Sequence, residues 1–382
     1  MGSQIKLEGS GRRAPLRKPW QRWMQLWPGL LLAVLVAVVS IWFSEVIGVR
    51  WMGFEKSPIS SVMLAIVTGL LVSNLFALPD QVKPGLKFAV KKLLRVGIIL
   101  LGIRLSLFEV FQLGGQGLPI VAACIAGALL FTTTATRWLK LPARLGTLIA
   151  VGSSICGVSA IVATAPAIDA EEEEVAYAVA VITVFGIAAT LLYPYLAHWL
   201  FAGDPVRSGL FLGTAIHDTS QVTGAGLVYA DLFAAPQALD VATVTKLMRN
   251  VFLILVVPLM ALRYARTSTS QDSENKINVR TLIPFFIVGF LALAAVRTLG
   301  DAGLAATGRA WWMWDAATWQ GLHGTLKQWA VNFLAVALAG VGLSTRFSAF
   351  KGLGIKPFLV GLIAAVTVGG ISLAAIAVWV GG

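Results

Sequence analysis

The chain has 382 residues, 57% hydrophobic and 13% charged, with a formal net charge of +12. A soluble domain is about 45–50% apolar and about 25% charged, so this balance excludes an ordinary soluble protein and points to a chain that crosses a bilayer many times. The positive excess does not argue for nucleic acid, because Lys and Arg collect on the cytoplasmic side of membrane proteins.

A spanning helix needs about 20 mainly apolar residues. In chain order the candidates are Pro28–Ile47, Ser57–Leu78, Leu86–Leu107, Leu118–Trp138, Leu145–Ile168 and Val175–Leu200. Then follow Ser208–Tyr229, Val241–Leu262, Thr281–Leu299, Leu326–Leu343 and Pro357–Val380, eleven in all. The expected fold class is therefore an all-α polytopic membrane protein of about eleven segments. Residues 1–27 read as a basic cytoplasmic segment and 28–380 as one transmembrane domain. The first apolar run lacks a small-residue cleavage site, so it reads as a retained anchor. Basic loops alternate with poorer or acidic ones. That predicts the N-terminus and Lys140 inside, and Asp169 with Glu171–Glu174 outside. An exception holds if two segments are re-entrant together. Four tryptophans crowd into Gly300–Gly324, which reads as an amphipathic helix in the outer aromatic belt. Arg104 reads as snorkelling at that interface.

Two segments are interrupted. Residues 145–168 contain Gly152-Ser153-Ser154-Ile155-Cys156-Gly157-Val158-Ser159, and residues 208–229 contain His217-Asp218-Thr219-Ser220-Gln221. Gly152 aligns with Gly213 and Ser159 with Ser220. Irregular polar backbone at membrane depth must face protein or a wet cavity, and paired broken segments point to a transporter's binding site. A second echo relates Leu86–Ile103 to Leu326–Leu343. Under eleven crossings the second pair runs in opposite directions and the interrupted pair in the same direction, so one inverted repeat does not accommodate both.

The candidate substrate-binding residues follow from these breaks: Ser153, Ser154, Cys156, Gly157 and Ser159, then His217, Thr219, Ser220 and Gln221. A half-helix starting near Gly157 would aim N–H groups at an anion. Lys246, Arg249 and Asn250 share a helical face; Arg249 and Asn250 join the site, and Arg suits oxyanions. Asp218, His217, Glu172, Glu173 and Lys246 are the candidates for coupling. An ion pair of Asp218 with Arg249 is the structural alternative. Three histidines are too few for a metal cage. Cys124 and Cys156 both lie in apolar stretches and imply no disulfide framework. No phosphate loop, His-Glu-x-x-His or Gly-x-Ser-x-Gly motif is present.

At these motifs, together with Glu172-Glu173-Glu174-Val175-Ala176-Tyr177-Ala178 and Lys246-Leu247-x-Arg249, the chain resembles a family of bacterial inner-membrane transporters named, by expectation, as sulfate exporters. The resemblance runs from Pro28 onward. It implies a secondary transporter of a sulfur oxyanion or organosulfonate, without a cofactor beyond a coupling proton or sodium ion, and it leaves room for a homodimer. An anion channel is the alternative reading, and a membrane-embedded hydrolase the third.

Overall fold

A computed structural model describes residues 19–51, 57, 60–265, 285–346 and 354–380. Most of the basic N-terminal segment, and the loop charges Arg266, Lys276, Arg280 and Lys351, lie outside these residues. The regular secondary structure of the described residues is helical, apart from a single isolated bridge between Ala310 and Trp314. Among the described residues, seven helices are long and apolar enough to cross a membrane: Met24–Glu45, Leu107–Trp138, Glu172–Leu200, Pro236–Tyr264, Phe285–Thr307, Ala316–Ser344 and Ile355–Trp379. Their outward residues are apolar. On the first helix Leu31, Leu35, Val38 and Trp42 are exposed, the reverse of the polar outer face of a soluble bundle. Ser61–Leu75 is shorter. Residues 83–101 form a helix that slips into π geometry over Ala89–Leu93.

The other two expected segments are hairpins. In the first, Ala143–Ser154 ends at the break and Val158–Thr164 returns, with Gly152 packed beside Ile161. The Thr147 hydroxyl meets Tyr264 Oη at 2.8 Å, and the returning Ala165–Ile168 packs on the same end of the Pro236–Tyr264 span. In the second, Gly209 lies beside Val241 and Gly213 beside Thr245, so Pro205–Ala215 runs parallel to that span. Gly226 lies beside Leu239, and Thr219 bonds Asn250, so Thr219–Leu232 runs antiparallel to it. At the open end Ser208 donates to Tyr229 Oη at 3.0 Å. Neither segment crosses.

Between the hairpins stands the full span Glu172–Leu200, so they enter from opposite faces of the bundle. The first face gathers Arg137, Arg144, Glu174 and Arg263 around one cavity, and Arg346 bonds the Leu78 carbonyl near the helix that starts at Lys83. The second face gathers Arg104 with Asp240, Ser60 with Asp231, and Arg207 with the Val380 carbonyl. Following the chain, residue 19 starts at the first face and residue 379 ends at the second.

Four expectations are corrected. Glu172 begins its helix on the side of Arg137 and Arg144, not opposite them, and Arg207 lies on the other side. The span expected from Leu118 begins at Leu107, so Pro119 sits inside the continuous helix Leu107–Trp138, whose start is capped by Ser106 and Glu109. Arg104 does not snorkel: its guanidinium pairs with Asp240 at 2.5 Å, with both side chains about 15% exposed. The tryptophan-rich stretch 300–324 is not a separate amphipathic helix. Its ends continue Phe285–Thr307 and Ala316–Ser344, and Trp319 turns inward to donate to Asp301 at 2.8 Å.

The helices form two bundles. One holds residues 107–264 and Ile355–Trp379; the other holds residues 19–101 with Phe285–Thr307 and Ala316–Ser344. Apolar side chains from both share a core on the second-face half, where Leu227, Val228, Leu239 and Val244 meet Val62, Ile66 and Leu338. On the first-face half the cores are separate: one contains Leu145, Ile168 and Val257, the other Val36, Leu86 and Leu343.

Candidate functional site

The hairpin tips meet in the middle of the first bundle. Each ascending half-helix stops there and leaves its last carbonyls without N–H partners. No water reaches such groups in hydrocarbon, and each unmet carbonyl is costly. Two cations from Pro236–Tyr264 meet them. Lys246 Nζ donates to the carbonyls of Ile155 at 2.8 Å, Ile216 at 3.0 Å and His217 at 2.5 Å. Arg249 donates to the carbonyls of Ser153, Ser154, Thr214 and Ile216. Lys246 is 1% exposed and Arg249 is fully buried. The C-terminal end of a helix carries about half a negative charge, so the two helix ends offset about half of the charge of the two buried cations.

Asp218 holds the opposite pole. It N-caps Thr219–Leu232, its Oδ1 accepting from Ser220 N at 2.9 Å and Ser220 Oγ at 2.6 Å, while Gln221 Oε1 accepts from its own N–H. Its side chain lies against Gly157, which adopts φ +68; a Cβ there would stand 2.9 Å from Asp218 Oδ2. Two requirements, a left-handed turn and a close neighbour, thus fix glycine at 157. Gln221 fits only because Gly186 has no Cβ: one there would lie 1.9 Å from Gln221 Oε1.

The expected residues therefore separate into roles. Ser153 and Ser154 are buried, and each hydroxyl donates three residues back along its own helix; they offer carbonyls to Arg249, not hydroxyls to a ligand. Cys156, His217, Ser220 and Gln221 are buried at the tips. His217 Nδ1 meets the Ser153 carbonyl at 3.3 Å rather than a serine hydroxyl. Asn250 is buried and donates to Thr219 Oγ1 at 3.2 Å, while its own Oδ1 has no partner among the described residues. Asp218 and Thr219 are half-buried and Ser159 is exposed, which makes these three the reachable polar groups of the crossing. Arg249 is not paired with Asp218; the backbone carbonyls take that place. Glu172 and Glu173 are exposed at the start of their helix. Gly186, beside the crossing, is 13 residues further on, about 20 Å at 1.5 Å per residue. They do not belong to the site.

A family model described as "Conserved hypothetical protein 698" matches residues 28–361. The chain belongs to that family. A UPF0324 membrane protein of Streptococcus pyogenes serotype M18 is 33% identical over 348 residues, 91% of this chain and 95% of its own length. A UPF0324 membrane protein of Bacillus anthracis is 34% identical over 346 residues, 88% of this chain and 90% of its own. One of Streptococcus pneumoniae serotype 4 is 31% identical over 336 residues. The hairpins, the Lys246–Arg249 helix and Asp218 all fall within residues 28–361, which the family model matches. Sequence reasoning missed the role of Gly186; its only signal is a glycine inside a long apolar helix.

Proposed function

We propose that the chain is a secondary active transporter that moves a small anion by alternating access. The observation that carries this reading is the crossing itself. Lys246, Arg249 and Asp218 sum to a formal charge of +1, held in the interior of a membrane bundle. Ionisable groups in such positions mark substrate or ion pathways. All three Lys246 hydrogens and most of the Arg249 donors point to carbonyls, so the cations attract an anion through their field. Ser159 and Thr219, the reachable uncharged polar groups of the crossing, supply the direct contacts. A sulfur oxyanion or an organosulfonate is the substrate class favoured here, with export or exchange as the direction. The excess of basic residues on the first face supports a cytoplasmic N-terminus in a bacterial inner membrane.

The hairpins, entering from opposite faces, support an inverted repeat. The same holds for the second echo, since 83–101 and Ala316–Ser344 run in opposite directions. With two re-entrant segments the eleven apolar stretches make nine crossings. Coupling falls to a proton rather than sodium: the carbonyl-lined place a metal cation would take is filled by Lys246 Nζ. Asp218, the carboxylate of the crossing, is the group that would carry the proton.

The test is a thermal-shift screen of sulfate, sulfite, thiosulfate and small sulfonates on purified protein across about pH 5 to 9, with and without sodium, since a ligand that binds only the folded state raises apparent stability. One anion is expected to stabilise the protein independently of sodium, and Asp218→Asn is expected to change that stabilisation. Stabilisation that requires sodium would remove the proton reading. No stabilisation by any anion, with no counter-transport in proteoliposomes, would remove the anion carrier.

A further inference from the structure

Asp218 stands half-buried at the crossing with only one of its carboxylate oxygens in use. Oδ1 accepts from Ser220 N at 2.9 Å and from Ser220 Oγ at 2.6 Å. Oδ2 accepts no hydrogen bond among the described residues, and the carboxylate forms no ion pair among them. The two cations of the crossing are committed elsewhere. Lys246 serves the carbonyls of Ile155, Ile216 and His217, and Arg249 those of Ser153, Ser154, Thr214 and Ile216. The neighbour of Oδ2 is Gly157, where a Cβ would lie 2.9 Å away, so no side chain at 157 covers the oxygen. Asn250, bonded to Thr219 through Nδ2, presents a second acceptor, Oδ1, without a donor among the described residues.

A carboxylate in the interior of a membrane bundle is expensive unless something pairs with it. An anion that offers acceptor oxygens alone, such as sulfate or a plain alkanesulfonate, cannot pair with Oδ2 and sets like charges side by side. A positively charged N–H group can, through a charge-assisted hydrogen bond about twice as strong as a neutral one. The reachable hydroxyls lie next to this carboxylate. Thr219 is the following residue, one Cα step of about 3.8 Å away, and Ser159 is two residues beyond Gly157. Thr219 Oγ1 accepts from Asn250, which leaves its own hydrogen for an acid group, and Ser159 is exposed. A place for a cationic nitrogen and a place for an acid group are therefore adjacent.

We infer that the substrate of the crossing is a short zwitterion, with an ammonium on Asp218 Oδ2 and an acid group on Ser159 and Thr219. Two to three atoms between the charged groups, roughly one Cα step, match that spacing. This rests on the transporter reading and narrows its substrate to an amino-substituted acid, the acid group being a sulfonate or a carboxylate. The proton that Asp218 would carry and the ammonium would occupy the same oxygen in turn, which is what exchange of one for the other requires.

The experiment titrates the full-length protein in detergent with matched ligands and reads apparent affinity from the rise in unfolding temperature. One pair is ethanesulfonate and 2-aminoethanesulfonate; the other is propanoate and 3-aminopropanoate. In at least one pair the amino compound is expected to bind about tenfold or more tightly than its plain partner, the effect of gaining a charge-assisted hydrogen bond. The pair that shows this lead identifies the acid group. 2-Hydroxyethanesulfonate, which donates without a charge, is expected to fall between the members of the sulfonate pair where that pair shows the lead. Asp218→Asn keeps a good N-cap residue and removes the charge, so it is expected to abolish the lead. Ser159→Ala is expected to weaken both members of a pair alike and leave the lead intact. The wild-type comparison needs no variant, so a variant that fails to fold does not decide the matter. Equal binding within both pairs, or a lead that survives Asp218→Asn, overturns the zwitterion and leaves the anion carrier standing. A hydroxy compound that binds as tightly as the amino sulfonate, with no lead in the carboxylate pair, overturns the ammonium. No binding of any ligand overturns the zwitterion together with the carrier reading.

Discussion

At the scale of single residues, Lys246 and Arg249 are structural cations before they are anything else. Truncating either leaves several buried carbonyls unmet, and unmet buried polar groups cost about 1–3 kcal/mol each. Lys246→Met and Arg249→Met are therefore expected to destabilise the protein by on the order of 3 kcal/mol or more, visible as a large drop in unfolding temperature without any ligand. Unchanged thermal stability would show that water reaches these carbonyls. Gly157 is a different case. Gly157→Ala puts a side chain at positive φ and against Asp218, at a cost of about 1–3 kcal/mol. Because the clash displaces Asp218, it is expected to change anion binding as well as stability, a combination that Gly226→Ala, away from the tips, should not show.

At the scale of elements, the hairpins decide the topology. With cysteine introduced singly, Lys140→Cys and Glu172→Cys are expected to label from the same side of the membrane, and Arg207→Cys from the other. Labelling of 140 and 172 from opposite sides would mean that Ala143–Ile168 crosses. On the second face the Arg104–Asp240 pair ties the short turn after residues 83–101 to the start of the Pro236–Tyr264 span. Arg297 supports it by donating to the Ile103 and Arg104 carbonyls. A double-mutant cycle of Arg104→Gln with Asp240→Asn is expected to give a coupling of roughly 1–2 kcal/mol, against near zero for the exposed Lys83–Asp80 pair.

At the scale of the whole molecule, the two bundles share apolar packing on one half only. Alternating access requires that this contact open while the other half closes. Ser60 Oγ lies 3.1 Å from Asp231 Oδ2, and the two residues belong to different bundles. A disulfide between Ser60→Cys and Asp231→Cys would hold the second face shut. Oxidation is expected to abolish flux in proteoliposomes while leaving anion-induced stabilisation intact, and reduction to restore flux. Full flux in the oxidised protein would mean that the bundles do not part there.

The sequence by itself determined the class of molecule and where its unusual chemistry lies. Apolar runs interrupted by Ser153-Ser154 and His217-Asp218 are legible because a bilayer tolerates such residues only for a reason, and i, i+3 spacing alone places Lys246 and Arg249 on one face. Loop charge could not determine whether the interrupted segments cross. A hairpin and a span differ by where the chain returns, and two hairpins together preserve the parity on which the charge rule depends. Nor could it tell a substrate ligand from a helix-end partner. Arg249 meets Ser153 and Thr214, which lie 96 and 35 residues away in sequence, through backbone carbonyls that every residue possesses. That pairing carries no side-chain signature, and only the tertiary structure, by ending two helices at one point, decided it.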